Sequence, residues 1–393
     1  MFPFLEHIKK EDHRIFRIDA VSAAYYGIFL GFLNPFVPVL LKRLGASSLE
    51  MGLSLAAPFI TLLIMFPLFR YLDGFRALDL VVVPTIVSRA SVAAIGFLDS
   101  PTAILAVYMV CMLVEGMGIA PYTRVLHQMY SESGRSLAMG YVRAWGGGCQ
   151  ILGAFLGGAM LDNGYGWLVF LLAGLCGSIS SLNFRRIFND QESPLFVSQS
   201  MGLRDVGECL RSSPGFFWLN LTIMFFGFGN LVVVAVLPTL LVTRFDISNF
   251  AVGNLNGLTF VMTVVSYLLL GRYIARKGPK NGLLLGLTAG VLNPWLFLLA
   301  PAVPYLAVPY AFNGLMYAGF DLSWMLLIIS YVKPEQISRF AAVYTFLMGI
   351  RGIIATMASN LALPSLGSDL LLGIGGVATC LGLGIGIWKR DRW

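Results

Sequence analysis

Apolar runs of about 20 residues, repeated along the whole chain, limit its fold more than any other feature. The stretch Phe216–Val242, for example, contains no charged residue. A helix crosses a hydrocarbon core of about 30 Å with roughly that many apolar residues. In lipid the backbone must satisfy its own hydrogen bonds, which leaves helices or a closed barrel. The runs lack the strict alternation of barrel strands, so the barrel drops out. With 57% hydrophobic and 12% charged residues in 393, a soluble domain is also excluded, because polar groups could not cover its outside. The expectation is an all-α, polytopic membrane protein.

Twelve spans fit the pattern. The first six are Ile18–Leu41, Leu49–Phe69, Leu78–Phe97, Ala103–Gln128, Ser136–Leu161 and Trp167–Phe184. The second six are Phe216–Val242, Phe250–Tyr273, Asn281–Ala300, Tyr305–Val332, Ile337–Leu363 and Leu370–Trp388. Between them lies the longest polar interval, Arg185–Pro214, with Arg185, Arg186, Arg204 and Arg211 set among Asp190, Glu192, Asp205 and Glu208. This divides the chain into a six-helix bundle at 1–184, a strap at 185–214 and a second bundle at 215–393. Met1–Arg17 is short and charged and is expected on the cytoplasmic surface. It does not read as a cleaved leader, since no small-residue cleavage site follows a short apolar core.

Orientation follows from the basic residues. Of the 27 Lys and Arg, Lys42, Arg43 and Arg244 fall in odd-numbered loops, and Arg89 and Arg351 lie inside spans. All the others are at the termini, in the strap, or in the even loops and the span ends beside them. The positive-inside rule then places both termini and the strap in the cytoplasm, in a cytoplasmic (inner) membrane. The net charge of +7 is thus an orientation signal and not a nucleic-acid footprint. The five cysteines and three histidines are scattered, with neither disulfide nor metal spacing, so no metal or cofactor is expected.

The halves resemble one another. Phe69–Arg76 (FRYLDGFR) aligns with Gly271–Gly278 (GRYIARKG) at an offset of 202. Pro38-x-Leu40-Leu41 aligns with Pro238-x-Leu240-Leu241 at 200, and Arg135 with Arg339 at 204. Duplicated halves suit a transporter, because a pseudo-symmetric pair can rock about a midplane site. The run from Gly271 through Arg276 and Gly278 to Lys280 resembles the cytoplasmic helix 2–3 motif of the major facilitator superfamily. That motif has a glycine, an acid four residues on, a base, a second glycine and further bases. Ala275 replaces the acid in the second copy; in the first, Asp73 supplies it, while Phe69 and Gly74 replace the glycine and the base. The resemblance implies two pseudo-symmetric six-helix bundles and a conformational role for Asp73, Arg76, Gly271, Arg276 and Gly278. Gly153-Ala154-x-x-Gly157-Gly158 is similar to the superfamily's antiporter motif, with Ala154 in place of proline, which counts against an exporter. The glycines of the fifth span also suit close helix packing.

The resemblance further implies that helices 1, 4, 7 and 10 line the solute cavity. Helix 10 carries Asn313, Tyr317, Asp321 and Trp324 on one face, and helix 4 carries Tyr108, Glu115 and Tyr122 at sevens. Helix 1 offers Ser22, Tyr26 and Asn34, and helix 7 offers Thr222 and Asn230. Arg143, Gln150 and Asn256 complete the candidate lining. Each isolated Asn, Tyr or Trp can equally be interhelical glue.

Four charges lie deep in predicted spans, where ionised groups are costly and usually paired: Arg89, Glu115, Asp321 and Arg351. At about 1.5 Å per residue, Glu115 lies about 19 Å and Arg89 about 17 Å from the cytoplasmic ends of their spans. The equal heights fit a structural pair between them, with Arg143 as an alternative partner for Glu115. Asp321 and Arg351, about 18 and 20 Å deep, are expected to pair on neighbouring helices. Asp19, Arg124 and Arg143, near cytoplasmic ends, can simply snorkel.

The function expected from these features is secondary transport of a small solute by alternating access, in a monomer within the bilayer, and not enzymatic catalysis. No G-x-x-x-x-G-K-[ST] run is present, so an ion gradient supplies the energy, with protons favoured by two midplane carboxylates. The alternatives are a uniporter or drug-type exporter without proton coupling, and a transporter-like lipid flippase or scaffold.

Overall fold

The computed structural model describes residues 12–130, 135–188, 195, 202–333 and 336–390. The first residues of Met1–Arg17, most of the strap from 189 to 201, and Arg392 lie outside the described residues. So do the side chains of Arg124 and Arg135.

The first half contains α1 (His13–Leu33), α2 (Val37–Arg43), α3 (Ser48–Leu68), α4 (Ala77–Ser91), α5 (Pro101–Gly116), α6 (Ile119–Met129), α7 (Arg135–Asp162) and α8 (Gly166–Phe184). The strap holds α9 (Leu203–Ser212). The second half contains α10 (Pro214–Thr243), α11 (Asn249–Lys277), α12 (Pro279–Leu299), α13 (Ala307–Tyr331) and α14 (Ile337–Trp388). The 52 residues of α14 would run for about 78 Å, more than two membrane cores. Gly367, at φ 74° and ψ 165°, breaks it into the last two of twelve crossings.

Three predicted spans are interrupted. The first bends at Asn34–Phe36, so that Pro38 falls in the first turn of α2, where its missing N–H is harmless. The third tightens into a 3₁₀ turn at Val92–Phe97. The fourth breaks at Met117–Gly118, because Pro121 can donate no backbone hydrogen bond and its ring crowds the preceding turn.

The backbone confirms the duplication more sharply than the sequence does. Six described residues have positive φ, and they form three pairs in equivalent turns: Gly45 with Asp246, Gly74 with Gly278, and Gly164 with Gly367. Gly278 shows the reason: it ends α11 in a conformation that Cβ disfavours, and Pro279 opens α12 at once.

Cα proximity groups the chain into two compact units. Unit 1 contains Met1–Leu40, Leu68–Ser200 and Ser248–Gly257; unit 2 contains Leu41–Pro67, Met201–Ile247 and Leu258–Trp393.

In unit 1, α1 crosses α7 glycine against backbone. A Cβ on Gly27 would strike the Gly146 carbonyl, and one on Gly31 the Gln150 carbonyl. Gly157 sits under the rings of Phe32 and Phe36, whereas Gly140, Gly147 and Gly148 face open space. Only part of the α7 glycine run therefore serves close packing. Gly174 and Gly177 likewise bring α8 against Ala93 and Arg89 of the third crossing. An apolar cluster in this unit includes Phe16, Leu78, Val82, Met129, Phe184 and Ile187.

In unit 2, α10 packs on α14 through Gly229 and Gly375, and α12 on α13 through Gly286 and Gly319. Phe59 of α3 lies over Gly352. The strap helix α9 is amphipathic. Cys209 is buried in a cluster with Phe216, Leu283 and Phe340, and its acids Asp205 and Glu208 both accept from Arg339, at 2.7 Å for Glu208. Large apolar side chains stay exposed along the spans, such as Leu268 at 70% and Leu299 at 75%, an arrangement that lipid, not water, satisfies.

Candidate functional site

Unit 1 contains a partly open cavity of about 560 Å³, within the usual range for small-molecule sites. Its walls come from α1, α4, α5, α6, α7 and α8. The polar lining includes Asp19, Tyr26, Arg89, Glu115, Tyr122, Arg143, Gln150, Ser180 and Ser181.

The centre of this wall is an ion pair. Arg89 Nη2 donates to Glu115 Oε1 at 2.6 Å, and Arg89 Nε lies 3.2 Å from both carboxylate oxygens. Ser88, one residue before the arginine, donates to Glu115 Oε2 at 2.9 Å. The opposite edge of the guanidinium reaches α8, with Nη1 at 2.9 Å from Ser181 Oγ and 3.4 Å from Ser180 Oγ. The Tyr26 ring lies 4.4 Å from the guanidinium carbon, within cation–π range. The bare face of Gly177 admits this arrangement, since a Cβ there would meet Arg89 Cβ at 2.8 Å. The pair is unequally sheltered: the Arg89 side chain keeps 11% of its exposure and the Glu115 side chain 20%. The carboxylate is the more accessible partner, and it borders the cavity.

A second acid lines the same cavity. Asp19 is buried on α1 and accepts from the Tyr130 hydroxyl at 2.7 Å. Asn183 donates to Ser22 Oγ at 3.0 Å, and Ser180 to the Ser22 carbonyl at 2.8 Å, which fixes α8 against α1. Thr85 and Ser181 are 2.8 Å apart and link α4 to α8.

Among the residues read from the sequence, the fold brings Tyr26, Arg89, Glu115, Tyr122, Arg143 and Gln150 to this one cavity. Asn34 is exposed at the bend after α1, and Tyr108 is buried on α5 away from the lining. Asn256 donates to the Val252 carbonyl on its own helix, and Asn230 is half-buried on α10. In unit 2, Asn313 accepts from Asn293 at 2.5 Å as interhelical glue. Tyr317 is exposed, and Trp324 stacks on Tyr344 at 4.7 Å. Of the loop residues, Gly278 ends its helix at positive φ, and Arg76 forms an isolated β-bridge with Leu195 of the strap. Gly271 and Arg276 are exposed on the last turns of α11, and Asp73 is exposed just before Gly74.

The expected Asp321–Arg351 ion pair does not form. Asp321 accepts from Tyr267 of α11 at 2.7 Å, and Arg351 donates to the Ile223 carbonyl of α10 at 2.5 Å. Equal depth set the two at one height, but helix rotation turned them toward different neighbours. The serines of α8 and Thr85 escape the sequence reading for a related reason: they lie outside helices 1, 4, 7 and 10. The polar run Ser178, Ser180, Ser181 and Asn183 at the end of a mostly apolar helix was the available signal.

The sequence profile of the Major Facilitator Superfamily matches residues 20–356. No curated protein matches the sequence. Among solved structures, the nucleoside transporter NupG superposes with a TM-score of 0.68 at 13% identity, covering 98% of this chain and 99% of its own. A bacterial homologue of the human lysosomal transporter Spinster, inward-facing and occupied, gives 0.66 at 14% identity, with 98% of each chain covered. The human organic anion transporter MFSD10 (TETRAN) gives 0.67 at 15% identity, covering 96% of this chain and 100% of its own. At such identities the likeness shows the fold, and the profile shows the family. A multi-pass helical chain with duplicated halves and a cavity that charged and polar side chains border, matched over most of its length, belongs to the major facilitator superfamily of membrane transporters.

Proposed function

We propose that this transporter is a secondary active carrier that moves a small solute by alternating access and couples it to protons through Glu115. The observation that carries the reading is the position of Glu115: part-exposed on a cavity wall, yet held by the buried Arg89. In the proposed cycle the pair opens and closes as the solute moves, and Glu115 takes up a proton on leaving Arg89 and gives it up when the contact is restored. Tyr26, Tyr122, Arg143 and Gln150 are the proposed solute contacts in unit 1. Asp73, Arg76, Gly271, Arg276 and Gly278 are the proposed loop residues of the conformational change. The distribution of Lys and Arg supports cytoplasmic termini and strap; a monomer in an inner membrane, with functional halves at 1–184 and 215–393, is part of the same proposal.

The test is transport in proteoliposomes after a ligand screen. Glu115→Gln keeps an acceptor for Arg89 and is expected to retain solute exchange while losing accumulation driven by a pH gradient. A mutant that still concentrates solute in response to that gradient removes Glu115 as the coupling residue and leaves the pair a structural one.

A further inference from the structure

The two arginines that lie deep in the spans are treated very differently. Arg89 meets a carboxylate, two serine hydroxyls and an aromatic face. Arg351, 7% exposed on α14, makes one hydrogen bond, from Nη1 to the Ile223 carbonyl. Its Nε is buried without a partner, and no described carboxylate forms an ion pair with it. A guanidinium carries five N–H donors and stays charged, and stripping it of water without a counter-charge is costly.

The groups around it share the same deficit. Tyr344, two helical turns before Arg351 and within its electrostatic reach, has a buried hydroxyl with no partner. Thr222, adjacent to the carbonyl that Arg351 touches, has another. The guanidinium lies on Gly227, where a Cβ would collide with its carbon and Nη1, so the fold leaves room for the charge at this point. The nearby acid, Asp321, is exposed and engaged by Tyr267. What unit 2 lacks here is acceptor oxygen and negative charge.

We infer that Arg351, with the Tyr344 hydroxyl, is the binding site for a carboxylate group, and that the transported solute is a small organic anion. The aromatic pair Trp324–Tyr344 beside it suits an apolar body on that anion. The inference deepens the proposed function by naming the solute class; it rests on solute transport but not on proton coupling. Entry to a residue so well covered needs side-chain movement of the kind a transport cycle supplies.

The experiment measures binding to the purified full-length protein in nanodiscs, by thermal shift and calorimetry, with no gradient present. Its failure is thus separable from failure of Glu115 coupling. The probes are acetate, hexanoate and benzoate, each against its neutral amide, with chloride and nitrate as inorganic arms. At least one carboxylate is expected to stabilise the protein where its amide and the inorganic anions do not. Arg351→Gln should weaken that binding more than about tenfold, as loss of a charged hydrogen-bond donor does. Arg351→Lys, which keeps the charge, should weaken it less, and Tyr344→Phe should weaken it several-fold. Asp321→Asn removes a like charge and should leave binding as tight or tighter. The inference is overturned if no carboxylate outperforms its amide, if chloride or nitrate binds equally well, or if binding survives in folded Arg351→Gln. Loss of binding in Asp321→Asn also overturns it, since it makes Asp321 and not Arg351 the residue on which recognition depends.

Discussion

Breaking the Arg89–Glu115 pair from one side should destabilise the protein far more than removing both partners. Glu115→Leu leaves a buried guanidinium with Ser180, Ser181, the Gly177 carbonyl and the rings of Tyr26 and Phe29 around it. Arg89→Met leaves the carboxylate with Ser88 alone. Removing one member of a buried pair typically costs about 3–5 kcal/mol. The remaining hydroxyls and the 20% exposure of the Glu115 side chain put Glu115→Leu near the lower end, about 3 kcal/mol. That is roughly a hundredfold in the unfolding constant, at about 1.4 kcal/mol per tenfold. The double variant buries apolar chains of similar volume and should return to within about 1 kcal/mol of wild type. Equilibrium unfolding in mixed micelles, run as a double-mutant cycle, measures all four states. Single changes costing under about 1 kcal/mol, or a double variant equal to their sum, would refute the claim that these charges are buried and mutually dependent. The double variant should also fold yet fail to couple transport to pH, which separates the pair's stabilising part from its functional one.

Three further outcomes are expected. Gly27→Val, whose Cβ strikes the Gly146 carbonyl, should destabilise by at least the usual 1–3 kcal/mol of overpacking, whereas Gly140→Ala, facing open space, should stay within about 0.5 kcal/mol. On α9, the Gly202 N–H and then Arg339 hold Asp205 below the ordinary carboxylate range, and Arg339 does the same for Glu208. Both acids bind fewer protons folded than unfolded, so their support is complete above about pH 5 and fades as pH falls through the lowered values. Hydrogen exchange of α9, corrected for intrinsic rate, should show protection lost only on acidification, and Arg339→Gln should weaken that dependence, leaving the part that the Gly202 N–H gives Asp205. In a cysteine-free background, an impermeant maleimide should label Tyr165→Cys in intact cells and spare Arg204→Cys; the reverse pattern overturns the orientation.

Much was already legible in the residues. The length and apolarity of the runs determined a helical membrane chain, because no other backbone satisfies itself in lipid. Short matches such as FRYLDGFR with GRYIARKG determined a duplication, which recurs as paired positive-φ turns. Span arithmetic set Arg89 and Glu115 at one height, and they do meet. The same arithmetic set Asp321 and Arg351 level, and they do not. The difference lies in what one dimension can encode. Rise per residue fixes depth, but which way a helix faces, and which helix it faces, depends on where backbones can approach. In this chain that is decided by Gly174 and Gly177 beside Arg89, and by Gly227 beneath Arg351. Partners drawn from distant sequence, such as Ser181 for Arg89 or Tyr267 for Asp321, follow from that packing and so belonged to the tertiary structure alone.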